Sequence, residues 1–185
     1  MKTNKVKGFT LVELIVVIAI IGVLAAILVP SMLGYVKKSK VSSANANAKS
    51  LFDAVSTSLV ELDSEGYHID GSKADDCLVT AAYNGGKDNP SAVAAPASKT
   101  TALKANDNYL QWKVYNYFNG VTKLTGGYGW RVESMAVTAA MTSDGTYVGA
   151  YPNGTTTDNA TGTSTLKIDA AGLNYAKTGS TGSST

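Results

Sequence analysis

Cysteine and histidine are almost missing from this chain: Cys77 and His68 stand alone among 185 residues. A single cysteine excludes an intramolecular disulfide, and Cys77 reads as a buried, inert thiol. A single histidine, with no serine or cysteine in a nucleophile context around it, leaves no catalytic triad to assemble. Paired acids are lacking as well. Asp75 and Asp76 are adjacent, so on a helix they diverge and cannot share one substrate as acid and base. Asp70, Asp158 and Asp169 are scattered without the spacing of a calcium loop. The expectation is therefore no catalytic residues, no metal ligands, no cofactor and no enzymatic activity. A formal charge of +2, with no basic cluster interleaved with aromatics, gives no reason to expect a nucleic-acid partner.

What the chain does have is one long apolar run. From Leu14 to Val29 no residue is charged, and the apolar stretch from Phe9 to Val29 is long enough to span a bilayer. One carboxylate, Glu13, sits on the near edge of that run. An ionisable group at such a place is costly in lipid and is read as functional. The preceding residues carry Lys2, Lys5 and Lys7 and no acid, as a cytoplasmic-side segment should. An ordinary secretory signal would not tolerate Glu13 in its apolar core, and Val23-Leu24-Ala25-Ala26 is a poor cleavage site. A plain membrane anchor accounts for the apolar residues but not for the Gly8-Phe9 junction or for Glu13.

The run Lys7-Gly8-Phe9-Thr10-Leu11-Val12-Glu13 resembles the class III signal of type IV pilins and related pseudopilins. The resemblance covers about residues 5–40 and beyond about residue 62 extends only to architecture. It implies a cut by a prepilin peptidase between Gly8 and Phe9, with Phe9 as the N-methylated first residue. It also implies that Glu13 compensates the amine of Phe9 on a neighbouring subunit, setting register during assembly. Gly22 and Pro30 match helix-weakening positions in such segments, and related filaments unwind locally between them.

The residues after the run carry the reading further. Lys37, Lys38 and Lys40 form a basic patch, read as a solvated helix face at the membrane edge. Positive charge thus flanks the span on both sides, so orientation rests on the resemblance. Val41, Ala44, Ala48, Leu51, Val55, Leu59 and Leu62 recur at steps of three and four, one buried helical face. Ser42, Asn45, Asn47, Lys49, Asp53 and Ser56 form its polar opposite. The helix is expected to run from Phe9 to about Leu62, roughly 80 Å, with Gly66 as its stop and a kink at Pro30.

Beyond it, Ala74 to Tyr83 is a candidate short helix, and 84–106 reads as a connection. Asn106 or Asp107 can cap a helix burying Leu110, Val114, Tyr117, Phe118 and Val121, with a strand through Leu110, Trp112 and Val114 as the alternative. Tyr128, Trp130 and Val132 alternate, then Met135, Val137, Ala139 and Met141 alternate in opposite parity. The switch near Glu133-Ser134 predicts a bulge or a break between strands. Ser143-Asp144-Gly145 is a turn leading into a returning strand, Tyr147 to Tyr151, and Thr165 to Ile168 is a candidate further strand. Asn153 to Ser164 and the residues after Ala176 are rich in Gly, Ser and Thr and are expected to be mobile. Two glycosylation patterns, at Asn153 and Asn159, read as chance occurrences in that Thr-rich stretch.

The expected fold is α+β: a long N-terminal helical spine, with a hydrophobic and an amphipathic half, packed on a small antiparallel sheet head. Its expected division is a leader at 1–8, a helix at 9–62 with 9–30 in the membrane, a head at 63–177 and a tail at 178–185. The resemblance implies a major pilin made as a single-pass membrane precursor, then polymerised with identical subunits by a pilus assembly machinery into an extracellular filament. A possible surface or carbohydrate ligand goes with that reading. Lone Cys77 fits disulfide-free pilins of Gram-positive type. The alternatives are a pseudopilin of a secretion or competence system, or a carbohydrate-binding minor pilin with Trp112, Trp130 and tyrosines as a platform.

Overall fold

The computed structural model describes residues 8–69, 108–118, 124, 126–160 and 166–180. Cys77, the candidate helix from Ala74 to Tyr83 and the connection at 84–106 lie outside them. The elements are α1 (Leu11–Ser64), α2 (Asn108–Tyr117), β1 (Gly127–Glu133), β2 (Ala136–Ser143), β3 (Val148–Tyr151) and α3 (Ala170–Thr178). The chain divides into two compact units, Met1–Lys37 and Lys38–Thr185, and α1 contributes to both.

In the first unit α1 exposes every large apolar side chain, from Leu11 and Val12 through Leu33 and Val36. The helix continues through Gly22 and Pro30 as one element, and the expected kink at Pro30 does not end it. One proline removes a single amide from the ladder, and the bonds on either side carry the helix across it.

In the second unit the expected stripe is the buried face: Val41, Ala44, Ala48, Leu51, Val55, Leu59 and Leu62 are all buried, joined by Ala54 and Ser58. Ser58 is accommodated because its hydroxyl donates to the Ala54 carbonyl one turn back. Gly66 ends the helix as expected. It takes φ of 85°, its N–H bonds the Asp63 carbonyl and the Tyr67 N–H bonds that of Leu62. This is a Schellman closure with buried Tyr67 set against buried Leu62.

The sheet has the order β1-β2-β3, all antiparallel. The parity switch has two causes rather than one. Ser134 and Met135 form a two-residue turn with φ of 49° and 63°, the conformation that matches strand twist in a hairpin. The register then slips between Arg131/Val132, which pair with Ala139 and Val137. Thr138 is the extra residue, and its hydroxyl donates to the Arg131 carbonyl. The expected break between strands thus falls at Ser134-Met135, directly after Glu133, and a separate bulge sits at Thr138. It sends Val137 to the same core as Trp130 and Val132, while Ala139 and Met141 join a second core with Leu173 and Ala176.

That second core rests on α3, which the sequence reading left unassigned. Asp169 caps it by accepting from the Gly172 N–H, and Gly179 closes it at φ of 77°. Leu166, Lys167 and Ile168 form no strand, and Thr165 lies outside the described residues. Asn153 holds the other end of α3: its Nδ2 donates to the carbonyls of Ala176 and Lys177. Segment 153–160 is thus tied to the head, not loose. Tyr117, expected in the core, is 48% exposed, whereas Lys113 on the same helix is buried.

Lys113 is buried because two carboxylates of α1 receive it, Glu65 at 2.7 Å and Glu61 at 3.2 Å, with the Tyr109 ring below. Burial works to lower its pKa, but the hydrogen bonds to Glu65 and Glu61 prevail and hold it raised. The contribution is thus complete at neutral pH and is lost only as pH climbs through the raised value, above 10.5. Lys113→Met keeps the apolar stem and removes the charge. It is expected to cost about 2 kcal/mol in urea melts of the chain lacking residues 1–28; an unchanged midpoint would show that the clamp contributes nothing.

Glu133 joins the hairpin to α3 through Lys177 at 2.6 Å, with Arg131 at 2.8 Å. The Lys177 hydrogen bond holds its pKa below the ordinary 4.5, against the opposing effect of burial. The sign follows: the stabilisation is present above the unfolded value and is lost as pH falls through the lower folded one. For this partly exposed network the gain is at most about 1 kcal/mol. Wild type is expected to exceed Glu133→Gln in stability at pH 7, with the gap closing below pH 4.5. A gap constant down to pH 2 would rule out the ionised pair.

Candidate assembly site

The first unit begins with a local constellation. Gly8 and Phe9 precede the helix in exposed, non-helical backbone, and Phe9 is 78% exposed. Thr10 stands just before the first helical residue, Leu11, and Glu13 lies in the first turn. The Thr10 N–H donates to Glu13 Oε2 at 2.8 Å, the Thr10 hydroxyl donates to the same oxygen at 2.7 Å, and the Glu13 N–H lies 3.2 Å from Thr10 Oγ1. Thr and Glu three apart at a helix start form a capping box, in which otherwise orphaned amides find partners. The carboxylate also faces the positive end of the helix dipole.

Sequence reasoning missed Thr10, although the pattern Thr-x-x-Glu ahead of an apolar run is its visible signal. The geometry joins Thr10 to Glu13 and leaves Phe9 free beside them. Gly22 and Pro30 lie on α1 at about 14 and 26 Å from Glu13, by helical rise, and share no site with it.

A Cβ added at Gly8 would meet nothing within 4 Å, and the same holds at Gly22. Packing within this chain therefore does not require glycine at either position. Inside a helix Gly22 costs about 0.5–1 kcal/mol relative to alanine, and no contact of the single chain offsets it.

The Prokaryotic N-terminal methylation motif matches residues 3–29, the same stretch that holds Gly8, Phe9, Glu13 and Gly22. This N-terminal segment carries that motif and is similar to the same segment of type IV pilins. The type IV major fimbrial protein FimA of Dichelobacter nodosus is 41% identical over 73 residues, 40% of this chain and 40% of its own. The type IV major pilin protein PilA of Myxococcus xanthus is 46% identical over 57 residues, 31% of this chain and 26% of its own. The type IV major alpha-pilin of Moraxella bovis is 52% identical over 54 residues, 28% of this chain and 34% of its own. The chain thus spans about two fifths or less of the length of these relatives. No solved structure matches. Among the described residues α1 is the one helix long and apolar enough to cross a membrane, and the polar pair at its start is Thr10–Glu13.

The carbohydrate platform does not form as expected. Trp130 is completely buried and stacks on buried Tyr128, and Trp112 packs against the core, stacked on Tyr109.

Proposed function

We propose that this protein is a structural subunit, a major pilin, of a type IV pilus. It is held in the cytoplasmic membrane as a single-pass precursor, cut between Gly8 and Phe9, methylated on Phe9 and polymerised with identical copies. The observation that carries this reading is the unpartnered α1 surface: apolar side chains exposed from Phe9 to Val36, interrupted near their start by one carboxylate. Lipid can cover such a surface before assembly, and other copies of the same helix can cover it after. Gly8 is open to an outside recogniser, since among the described residues nothing lies within 4 Å of a Cβ added there. The relatives, named as major pilins and a major fimbrial protein, favour a pilus over a secretion pseudopilus.

The test is the intact mass of protein sheared from cells, expected to match a chain that begins at N-methylated Phe9. Replacing Gly8 with a bulky residue is expected to leave uncut precursor in the membrane. A mature end near Ala26 would mean ordinary signal peptidase and would remove the pilin reading.

A further inference from the structure

The helix that follows the apolar run carries charge of one sign. From Leu14 to Phe52 there is no acidic residue, while Lys37, Lys38, Lys40 and Lys49 are all present. Two other lysines are paired, Lys113 to Glu61 and Glu65 and Lys177 to Glu133. Lys38, Lys40 and Lys49 are exposed and have no ion partner among the described residues. Lys38 stands apart because it lines a cleft of about 480 Å³ in the second unit, together with Val41, Ser42, Asn45, Thr155, Thr156 and Thr157.

The chemistry of that cleft is one-sided. The Asn45 amide is committed: Oδ1 accepts from the Ala150 and Thr155 N–H groups and the Thr155 hydroxyl, and Nδ2 donates to the Thr155 carbonyl. Lys38, Ser42 and Thr157 have no hydrogen-bond partner among the described residues, so their donors are unspent. Among the described residues no carboxylate lines the space; Asp158 adjoins Thr157 in sequence but is not part of the wall. A cleft that offers an ammonium and hydroxyls, with no acid, suits a phosphate oxygen.

Its position in the chain says which phosphate. The apolar residues continue past Val29 to Met32, Leu33, Tyr35 and Val36. The helix from Leu11 to Val36 measures about 39 Å, against about 40–45 Å for a bilayer with its headgroups. Tyr35 has the residue type found at membrane interfaces, and Lys38 comes three residues later. We propose that the cleft of Lys38, Ser42 and Thr157 binds the phosphodiester of an anionic lipid headgroup on the outer surface of the membrane, holding the stored subunit at fixed depth. The proposal rests on the membrane-held precursor described above.

The test uses the full chain reconstituted into bilayer discs of phosphatidylcholine alone or with phosphatidylglycerol, followed by native mass spectrometry of retained lipid. Insertion is read separately by resistance to alkaline extraction, so a chain that fails to insert overturns the underlying span rather than the site. Phosphatidylglycerol is expected to be retained over phosphatidylcholine. Lys38→Gln is expected to lower that preference about fivefold, the effect of one lysine near an anionic surface, and Lys40→Gln, two residues on and outside the cleft, to leave it within twofold. Equal loss in both variants would reduce the effect to general attraction and overturn the site. Two other results would overturn the lipid assignment. One is free glycerol phosphate binding as tightly as the lipid. The other is Lys38→Gln lowering filament yield with lipid retention unchanged, which would give Lys38 to a neighbouring subunit.

Discussion

Glu13→Leu is expected to enter the membrane and to be cut after Gly8, yet to yield few or no filaments. In the precursor the nitrogen of Phe9 is still an amide and carries no charge to offer Glu13. The proposed cut after Gly8 turns that nitrogen into a protonated amine, and methylation leaves its charge in place. On that reading the Phe9 amine becomes a partner only on mature subunits, which orders processing before assembly. Pairing across subunits offsets the cost of a charge held among apolar helices.

The capping box sharpens the test, because Glu13 already has a role within its own helix. Three variants separate the two roles. Glu13→Gln keeps an acceptor for the Thr10 N–H and loses the charge. Thr10→Ala keeps the charge and loses the cap, at about 1 kcal/mol of helix stability. Glu13→Leu loses both. If charge pairing governs assembly, both Glu13 variants are expected to fail while Thr10→Ala assembles; cleaved membrane pools and sheared filaments are compared for all three. Full yield from Glu13→Gln together with failure of Thr10→Ala would assign Glu13 to the cap alone.

The second large effect is expected at Gly149 in β3. Its Cα lies against the backbone of α1, and an added Cβ would fall on the carbonyl of Ala44 and the amide of Asn45. Backbone cannot retreat as a flexible side chain can, so Gly149→Val must push α1 off the sheet. That breaks the Asn45 bonds to Ala150 and Thr155 and the Thr142 hydroxyl bond to the Ala44 carbonyl. A loss of more than about 4 kcal/mol is expected, enough to leave the head largely unfolded. Asn45→Ala leaves the contact intact but strips partners from buried Thr155, and about 2 kcal/mol is expected. Circular-dichroism melts of the chain lacking residues 1–28 read both; a folded Gly149→Val with a normal midpoint would show that β3 and α1 can separate freely.

Those two residues also mark the limit of what could be read without coordinates. The period of Val41 to Leu62 locates the buried face of α1, because apolar burial repeats with the helix. The same period puts Asn45 on the polar side, since nothing local says that a strand more than a hundred residues later will present an amide to it. Thr138 is similar: a bulge answers to the pairing of two strands, and alternation along one strand cannot locate the extra residue. Lys113 looks like a solvent residue until the glutamates of another helix surround it. At the candidate site the balance differs. Gly8, Phe9 and Glu13 are legible because their meaning is local, and so was Thr10, whose cap was overlooked.

Asn153 and Gly154 form a sequence pair that ages. In flexible chains the glycine amide attacks the asparagine side chain, expels ammonia and leaves an aspartate or its isomer. Here the departing nitrogen donates to the carbonyls of Ala176 and Lys177, which hold the side chain in place. In the extracellular filament proposed above, where no repair reaches the chain, this hold of α3 on the side chain would act as a preservative. Its loss would start a chemical clock at Asn153.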